Sequence, residues 1–155
     1  MLIVFDLDFT LWNAGGVWCD LTTPPYSIKN GKIYDAECRH IKLYNDVKEI
    51  LKSLKEQNIS IAIASRTNEP GIAKELLKKF EIEHLISEFE IYPSSKIAHF
   101  KQLTRKTQIP YNEMYFFDDE HRNIEEVSKL GVNCTYVRNG INKQIVSLAT
   151  GIILN

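Results

Sequence analysis

Short apolar runs recur along this chain with helically spaced segments between them, and no other feature limits the possible folds as strongly. Leu2-Ile3-Val4-Phe5, Ile59 to Ala64, Met114 to Phe117 and Val132 to Val137 read as strands, and Glu88 to Tyr92 as a weaker fifth. Runs this short and this continuously apolar suit strands covered on both faces, and their alternation with helices predicts a parallel α/β sheet. Val47, Ile50, Leu51 and Leu54 fall at i, i+3, i+4 and i+7, which predicts a helix over Asp46 to Gln57, capped by Asn45 and ended by Asn58. Further helices are expected at Gly71 to Phe80 behind Pro70, at Ser95 to Thr107, at Asn123 to Leu130 closed by Gly131, and at Ile141 to Leu148. A chain of 155 residues can bury about two-thirds of its unfolded surface, so 1–155 is read as one domain.

The segment 13–40 breaks the rhythm with Gly15-Gly16 and Pro24-Pro25, then presents Asn30-Gly31 between β-prone flanks, a two-residue hairpin signal. It is read as a flap inserted after the first strand, over one end of the sheet. A net charge of −1 provides no broad basic field, which argues against nucleic acid as a partner. No apolar run approaches the roughly 20 residues that cross a bilayer, and no secretory leader is recognisable, so a cytoplasmic protein without membrane association is expected. Cys19, Cys38 and Cys134 lack metal-ligand spacing and read as reduced thiols.

The chemistry gathers where strands end. Asp6-Leu7-Asp8-Phe9-Thr10 follows the first strand directly, at the sheet edge where ligands bind in open α/β folds. Two carboxylates so close need a cation between them or a shared proton, although a polar strand-to-loop junction also explains them. Ser65-Arg66-Thr67 follows the second strand, Ser94-Ser95-Lys96 the third, and Asp118-Asp119-Glu120 with Asn123 the fourth. Singly, each is accounted for by a helix cap, a solvated charge or a helix-start acid. Jointly they supply the parts of phosphoryl transfer: a carboxylate nucleophile, a proton donor, a hydroxyl and a cation for phosphate, and acids for Mg²⁺.

In that order, the four motifs resemble those of the haloacid dehalogenase (HAD) superfamily, over most of the chain. The strings Phe5-Asp6-Leu7-Asp8-Phe9-Thr10-Leu11-Trp12, Ala64-Ser65-Arg66-Thr67, Glu90-Ile91-Tyr92-Pro93-Ser94-Ser95-Lys96 and Phe116-Phe117-Asp118-Asp119-Glu120 are most similar to its small magnesium-dependent phosphatase branch. The resemblance implies a three-layer Rossmann-like fold, strand order 5-4-1-2-3, helices on both faces and no cap domain. It implies a Mg²⁺-dependent phosphomonoester hydrolase in which Asp6 attacks phosphorus to form an aspartyl-phosphate and Asp8 is general acid and base. Mg²⁺ would be held by the Asp6 carboxylate, the Asp8 carbonyl and Asp119. Leu7, Asp8, Ser65, Arg66 and Lys96 would contact phosphate or substrate, Lys96 also orienting Asp6, with Thr10, Asp118 and Asn123 behind them. Most HAD phosphatases carry Gly at the position of Phe9, whereas the small branch carries an aromatic, commonly Tyr, so Phe9 fits that branch without the hydroxyl.

Only 31 positions separate Ser65 from Lys96, and a helix and a strand use most of them, so a cap has no room there. An open site favours a phosphate presented on a large molecule, or a lid from another subunit. Relatives in the small branch suggest phosphotyrosine in proteins, with protein-tyrosine-phosphatase activity, or protein-linked sugar phosphates such as fructosamine 6-phosphate. A small phosphorylated metabolite is the other partner class. Trp12, Trp18, Tyr26 and Tyr34 read either as stacking groups for an aromatic substrate or as packing of the flap. A monomer is the working expectation. A receiver-like phospho-accepting module and a nucleic-acid-end phosphatase are the alternatives; motif order argues against the first and charge against the second.

Overall fold

The computed structural model describes residues 1–155. In chain order the strands are β1 (Leu2–Phe5), β2 (Trp12–Ala14), β3 (Ser27–Lys29), β4 (Lys32–Tyr34), β5 (His40–Leu43), β6 (Ser60–Ser65), β7 (Glu88–Ile91), β8 (Met114–Asp118) and β9 (Asn133–Tyr136). The helices are α1 (Val47–Glu56), α2 (Pro70–Lys79), α3 (Lys96–Thr107), α4 (His121–Ser128) and α5 (Lys143–Thr150).

The main sheet is parallel in the order β7-β6-β1-β8-β9, the order that the family resemblance implied. Its central strand sorts its side chains by parity. Ile3 and Phe5 join Val47, Ile50, Leu51, Leu54, Leu76 and Leu77 on the α1/α2 face, while Leu2 and Val4 join Phe100, Leu103 and Val127 on the α3/α4 face. Both faces are thus covered, giving three layers, and each fully buried aliphatic side chain contributes about 1.5–3 kcal/mol. β9 departs from the expectation of two-sided burial: it is an edge strand whose residues are exposed or half-buried.

The flap is more extensive than a hairpin. Asn30 and Gly31 do form the tight turn, both with positive φ (53° and 74°). However, β3 and β4 belong to a four-stranded antiparallel sheet, β2-β5-β4-β3, that starts at Trp12 and closes at Leu43. Trp12, Ala14, Cys19, Tyr26, Ile33 and Ile41 bury themselves in the same core as α1 and α2, so the insertion is packed onto the body.

Two helix ends agree with expectation and two shift. Asn58 leaves α1 in the left-handed region, φ 58°, and Ser95 caps α3 by accepting the Ala98 N–H at 3.2 Å. Asn45 does not cap α1. Asp46 occupies the cap position without a side-chain bond to its own helix; its Oδ2 instead accepts the N–H of Lys143 at 3.0 Å, at the start of α5. α5 itself begins two residues later than expected, since Asn142 caps it through the Ile145 N–H at 2.9 Å. No helix is long and apolar enough to cross a membrane.

Candidate active site

Sheet register assembles the site. Phe5 lies beside Ile63 on one side and Phe117 on the other, so the next residue, Asp6, falls between Ala64 and Asp118; the Asp6 N–H donates to the Phe117 carbonyl at 3.0 Å. Lys96, first residue of α3, extends its side chain beneath this row. Its Nζ donates to Asp6 Oδ1 at 2.8 Å, lies 3.2 Å from Asp118 Oδ2, and donates to the Ala64 carbonyl. The lysine is 1% exposed, and a buried ammonium persists only when its donors are used in this way. Burial by itself would disfavour its charge, yet Asp6 and Asp118 hold its pKa above the ordinary value.

Three carboxylates meet here. Oxygen atoms of Asp6, Asp118 and Asp119 all lie within 4.8 Å of one another. Asp118 is already committed: Oδ1 accepts the Glu120 N–H at 2.7 Å, and Oδ2 the Asn123 side-chain amide at 3.0 Å as well as Lys96. Asp119 is half-buried, and its carboxyl is pushed up to about 6, by burial first and then by Asp118. Burial drives the Asp6 carboxyl well above the usual carboxylate range, with Lys96 pulling the other way and Asp118 and Asp119 reinforcing the rise. Three acids against one lysine leave surplus negative charge, and hard oxygen donors are the ligands that Mg²⁺ takes, so the residues fit such an ion.

Asp8 stands apart from this cluster. Between Asp6 and Trp12 the chain turns sharply, the N–H groups of Thr10, Leu11 and Trp12 all pointing at the Leu7 carbonyl (2.8–3.2 Å). Phe9 takes φ 60° there, the left-handed region that Gly occupies without strain. The turn folds Trp12 back so that its indole Nε1–H donates to Asp8 Oδ1 at 2.7 Å, and the Cys19 backbone N–H donates to the same oxygen at 2.9 Å. Burial raises the Asp8 carboxyl and these donors partly offset the rise.

A cavity of about 400 Å³ opens above the row, walled by Asp6, Asp8, Ser65, Arg66, Lys96 and Asn123 among others, with Trp18 its one aromatic lining residue. Arg66 donates to Asn123 Oδ1 at 3.1 Å, so one amide joins the guanidinium to Asp118. Of the residues singled out from sequence, Leu7, Thr10, Asp118 and Asp119 are not on the cavity wall, the two acids lying beside Asp6 beneath it. Leu7 packs in the core, and the Thr10 hydroxyl is buried without a partner. Of the four candidate stacking aromatics, Trp12 and Tyr26 turn inward, Trp12 packing near Phe80 and the Tyr26 hydroxyl meeting Thr22 Oγ1 at 2.6 Å, while the half-buried Tyr34 stacks on His40 within the flap. Sequence reasoning missed Asp20, Asn68 and Arg122 on the wall, and the Cys19 N–H. Nothing in a linear pattern marks a backbone donor 11 positions from its acceptor.

A parallel sheet whose C-terminal edge carries clustered carboxylates around a buried lysine defines a HAD-type hydrolase fold. The same architecture occurs in the phosphatase-domain-containing N-terminal part of a Bacteroides fragilis protein, crystallised with Mg, at a TM-score of 0.62 and 23% identity over 89% of this chain and 36% of that one. Residues 1–150 match the family described as Acid Phosphatase. Human magnesium-dependent phosphatase 1 is 45% identical over 148 residues, 94% of this chain and 82% of the relative. A HAD-like hydrolase superfamily protein of Schizosaccharomyces pombe is 37% identical over 143 residues, 84% of this chain and 81% of the relative. The chain belongs to the acid phosphatase family of HAD-type magnesium-dependent phosphatases.

Proposed function

We propose that this protein is a Mg²⁺-dependent phosphomonoester hydrolase with Asp6 as nucleophile and Asp8 as general acid and base. The observation that carries the reading is the placement of Asp6: hydrogen-bonded to Lys96, beside Asp118 and Asp119, and on the wall of the cavity that Asp8, Ser65 and Arg66 share.

A carboxylate oxygen of Asp6 bonds to phosphorus as the P–O bond to the leaving group breaks. The departing oxygen takes its electron pair and receives a proton from Asp8, yielding an alcohol or phenol and an aspartyl-phosphate. Asp8, now a carboxylate, accepts a proton from water as that water attacks phosphorus; the P–O bond to Asp6 breaks, releasing phosphate and restoring Asp6. Lys96 holds Asp6 in one orientation throughout, and the Ser65 hydroxyl and Arg66 guanidinium bind phosphate oxygens. Asp6, the Asp8 carbonyl and Asp119 would hold Mg²⁺, which supplies positive charge where anionic nucleophile and anionic phosphate meet. Asp118 supports this set from behind, its oxygens occupied by Lys96, Asn123 and the Glu120 N–H.

The substrate proposed is a phosphate carried by a protein, either phosphotyrosine or a protein-linked sugar phosphate. The open polar cavity with Trp18 half exposed at its wall supports a bulky substrate.

Hydrolysis of p-nitrophenyl phosphate tests the mechanism. Turnover with Mg²⁺ is expected to vanish in EDTA, and Asp6→Asn to lower kcat at least about 10³-fold. Activity that survives Asp6→Asn would refute the assignment of the nucleophile.

A further inference from the structure

Asp8 is held from one side only. Oδ1 accepts both the Trp12 indole N–H, at 2.7 Å, and the Cys19 N–H, at 2.9 Å, whereas no N–H donates to Oδ2; the Cys19 thiol beside the carboxyl is a further, weak donor to it. Both donors belong to the insertion after β1, and both are immobilised. Trp12 is fully buried, with its ring centroid 6.0 Å from that of Phe80 and its own N–H on the Leu7 carbonyl. Cys19 is fully buried too; its thiol lies 3.8 Å from Thr67 Oγ1, and the adjacent Asp20 accepts the Asn68 amide at 3.3 Å. The insertion therefore grips Asp8 with one hand and the Ser65–Asn68 loop with the other.

A carboxyl group with two fixed donors on one oxygen has lost its rotational freedom, and the acidic proton is confined to the other oxygen. We propose that the Trp12 indole and the Cys19 N–H form a cradle that fixes which oxygen of Asp8 delivers the proton, assigning Oδ2 to that task and making Trp12 a positioning residue for protonation of the leaving group. This rests on the reading of Asp8 as general acid. In the transfer, the O–H bond at Oδ2 breaks, the leaving oxygen gains the proton, and the negative charge left on Asp8 is shared with Oδ1, where both donors already point.

A positioning role of this kind has a signature that general loss of structure lacks. A good leaving group departs without a proton; a poor one needs it. Trp12→Phe removes the N–H, and its kcat/KM is expected to fall by about tenfold more for phenyl phosphate than for p-nitrophenyl phosphate, part of the 10²–10⁴-fold that a general acid contributes. In an Asp8→Asn background the same change is expected to add less than about threefold on either substrate, because the group it positions is gone. Equal losses on both substrates, or losses that multiply in the double variant, would overturn the proposal. Should Trp12→Phe fold poorly, site-specific replacement of Trp12 by 3-benzothienylalanine keeps the ring and exchanges N–H for sulfur; it is expected to reproduce the leaving-group dependence, and wild-type behaviour there refutes the cradle. Unimpaired hydrolysis of phenyl phosphate by Asp8→Asn alone would instead remove the acid itself, overturning the assignment of Asp8 on which the cradle depends.

Discussion

His99 shows how one side chain records its surroundings. It lies one turn along α3 from Lys96, is fully buried, meets the Tyr92 ring edge-on at 4.5 Å, and its Nε2 is 3.0 Å from the Tyr92 carbonyl. Nε2 must donate in that contact, which leaves Nδ1 buried with no partner. Protonating Nδ1 would strand a charge in the interior, so burial, followed by the nearby ammonium of Lys96, lowers the His99 pKa to about 4. The unfolded chain takes up the proton near 6.5. Between these values the unfolded state binds more protons, so stability contributed by neutral His99 is complete above about pH 6.5 and is lost as pH falls toward 4, by about 3 kcal/mol at most. Denaturant unfolding across that window should show the decline, and His99→Gln, whose amide can still donate to Tyr92, should flatten it. In the sequence His99 is only one residue of the helix expected over Ser95 to Thr107; its protonation state depends on the burial and the lysine that packing placed around it.

Loops and insertions set the limits of what elements tolerate. Gly31 and Gly140 both have positive φ, 74° and 78°, but their surroundings differ. A Cβ on Gly31 would project into open space at the hairpin turn, whereas one on Gly140 would collide with the Tyr44 ring. That second loop follows β9, and its Ile141 N–H donates to the Thr10 carbonyl at 2.9 Å, tying it to the turn behind Asp8. Gly31→Ala should therefore cost about 1 kcal/mol, from backbone strain alone. Gly140→Ala should cost at least about twice that and lower kcat as the turn behind Asp8 shifts, whereas Gly31→Ala leaves kcat unchanged. Thermal unfolding and p-nitrophenyl phosphate kinetics on the two variants check this. At this scale the Asn30-Gly31 turn was legible because its signal is two residues long. The four-stranded sheet around it was not, since β2 and β5 are only three and four residues long and pair across nearly thirty intervening positions.

Across the whole molecule, the sheet concentrates charge at one edge. Asp6, Asp118 and Asp119 crowd together with only Lys96 among them, and the carboxyl of Asp119, raised to about 6 by burial and then by Asp118, is half protonated near that pH when no cation is present. A group with its folded pKa above its unfolded value costs stability once it ionises, so Asp119 makes the metal-free protein less stable as pH rises from about 4 through 6. Binding of Mg²⁺ must displace such protons below pH 6 and meets ready carboxylates above it. The increase in Tm produced by millimolar Mg²⁺ should accordingly be larger at pH 7.5 than at pH 5, and Asp119→Asn should reduce it at the higher pH. A Tm that does not respond to Mg²⁺ at either pH would contradict the proposed role of this cluster.

What the sequence determined by itself is whatever short range encodes: continuous apolar runs for buried strands, 3.6-residue spacing for α1 to α4, and acids, a hydroxyl and a lysine placed immediately after four strands. Parallel pairing then carries those strand ends to one edge. Tertiary structure alone decided how the groups engage. Lys96 finds Asp6 across 90 positions, Arg66 finds Asn123 across 57, and Trp12 turns away from the cavity to hold Asp8. The physical reason is that a hydrogen bond is directional and satisfied only within a few tenths of an ångström, while hydrophobic periodicity is tolerant of such shifts. Pattern can therefore announce which face of a strand is buried and which edge holds the chemistry, but the donor that meets each acceptor is chosen only when register, helix packing and the insertion after β1 are all in place.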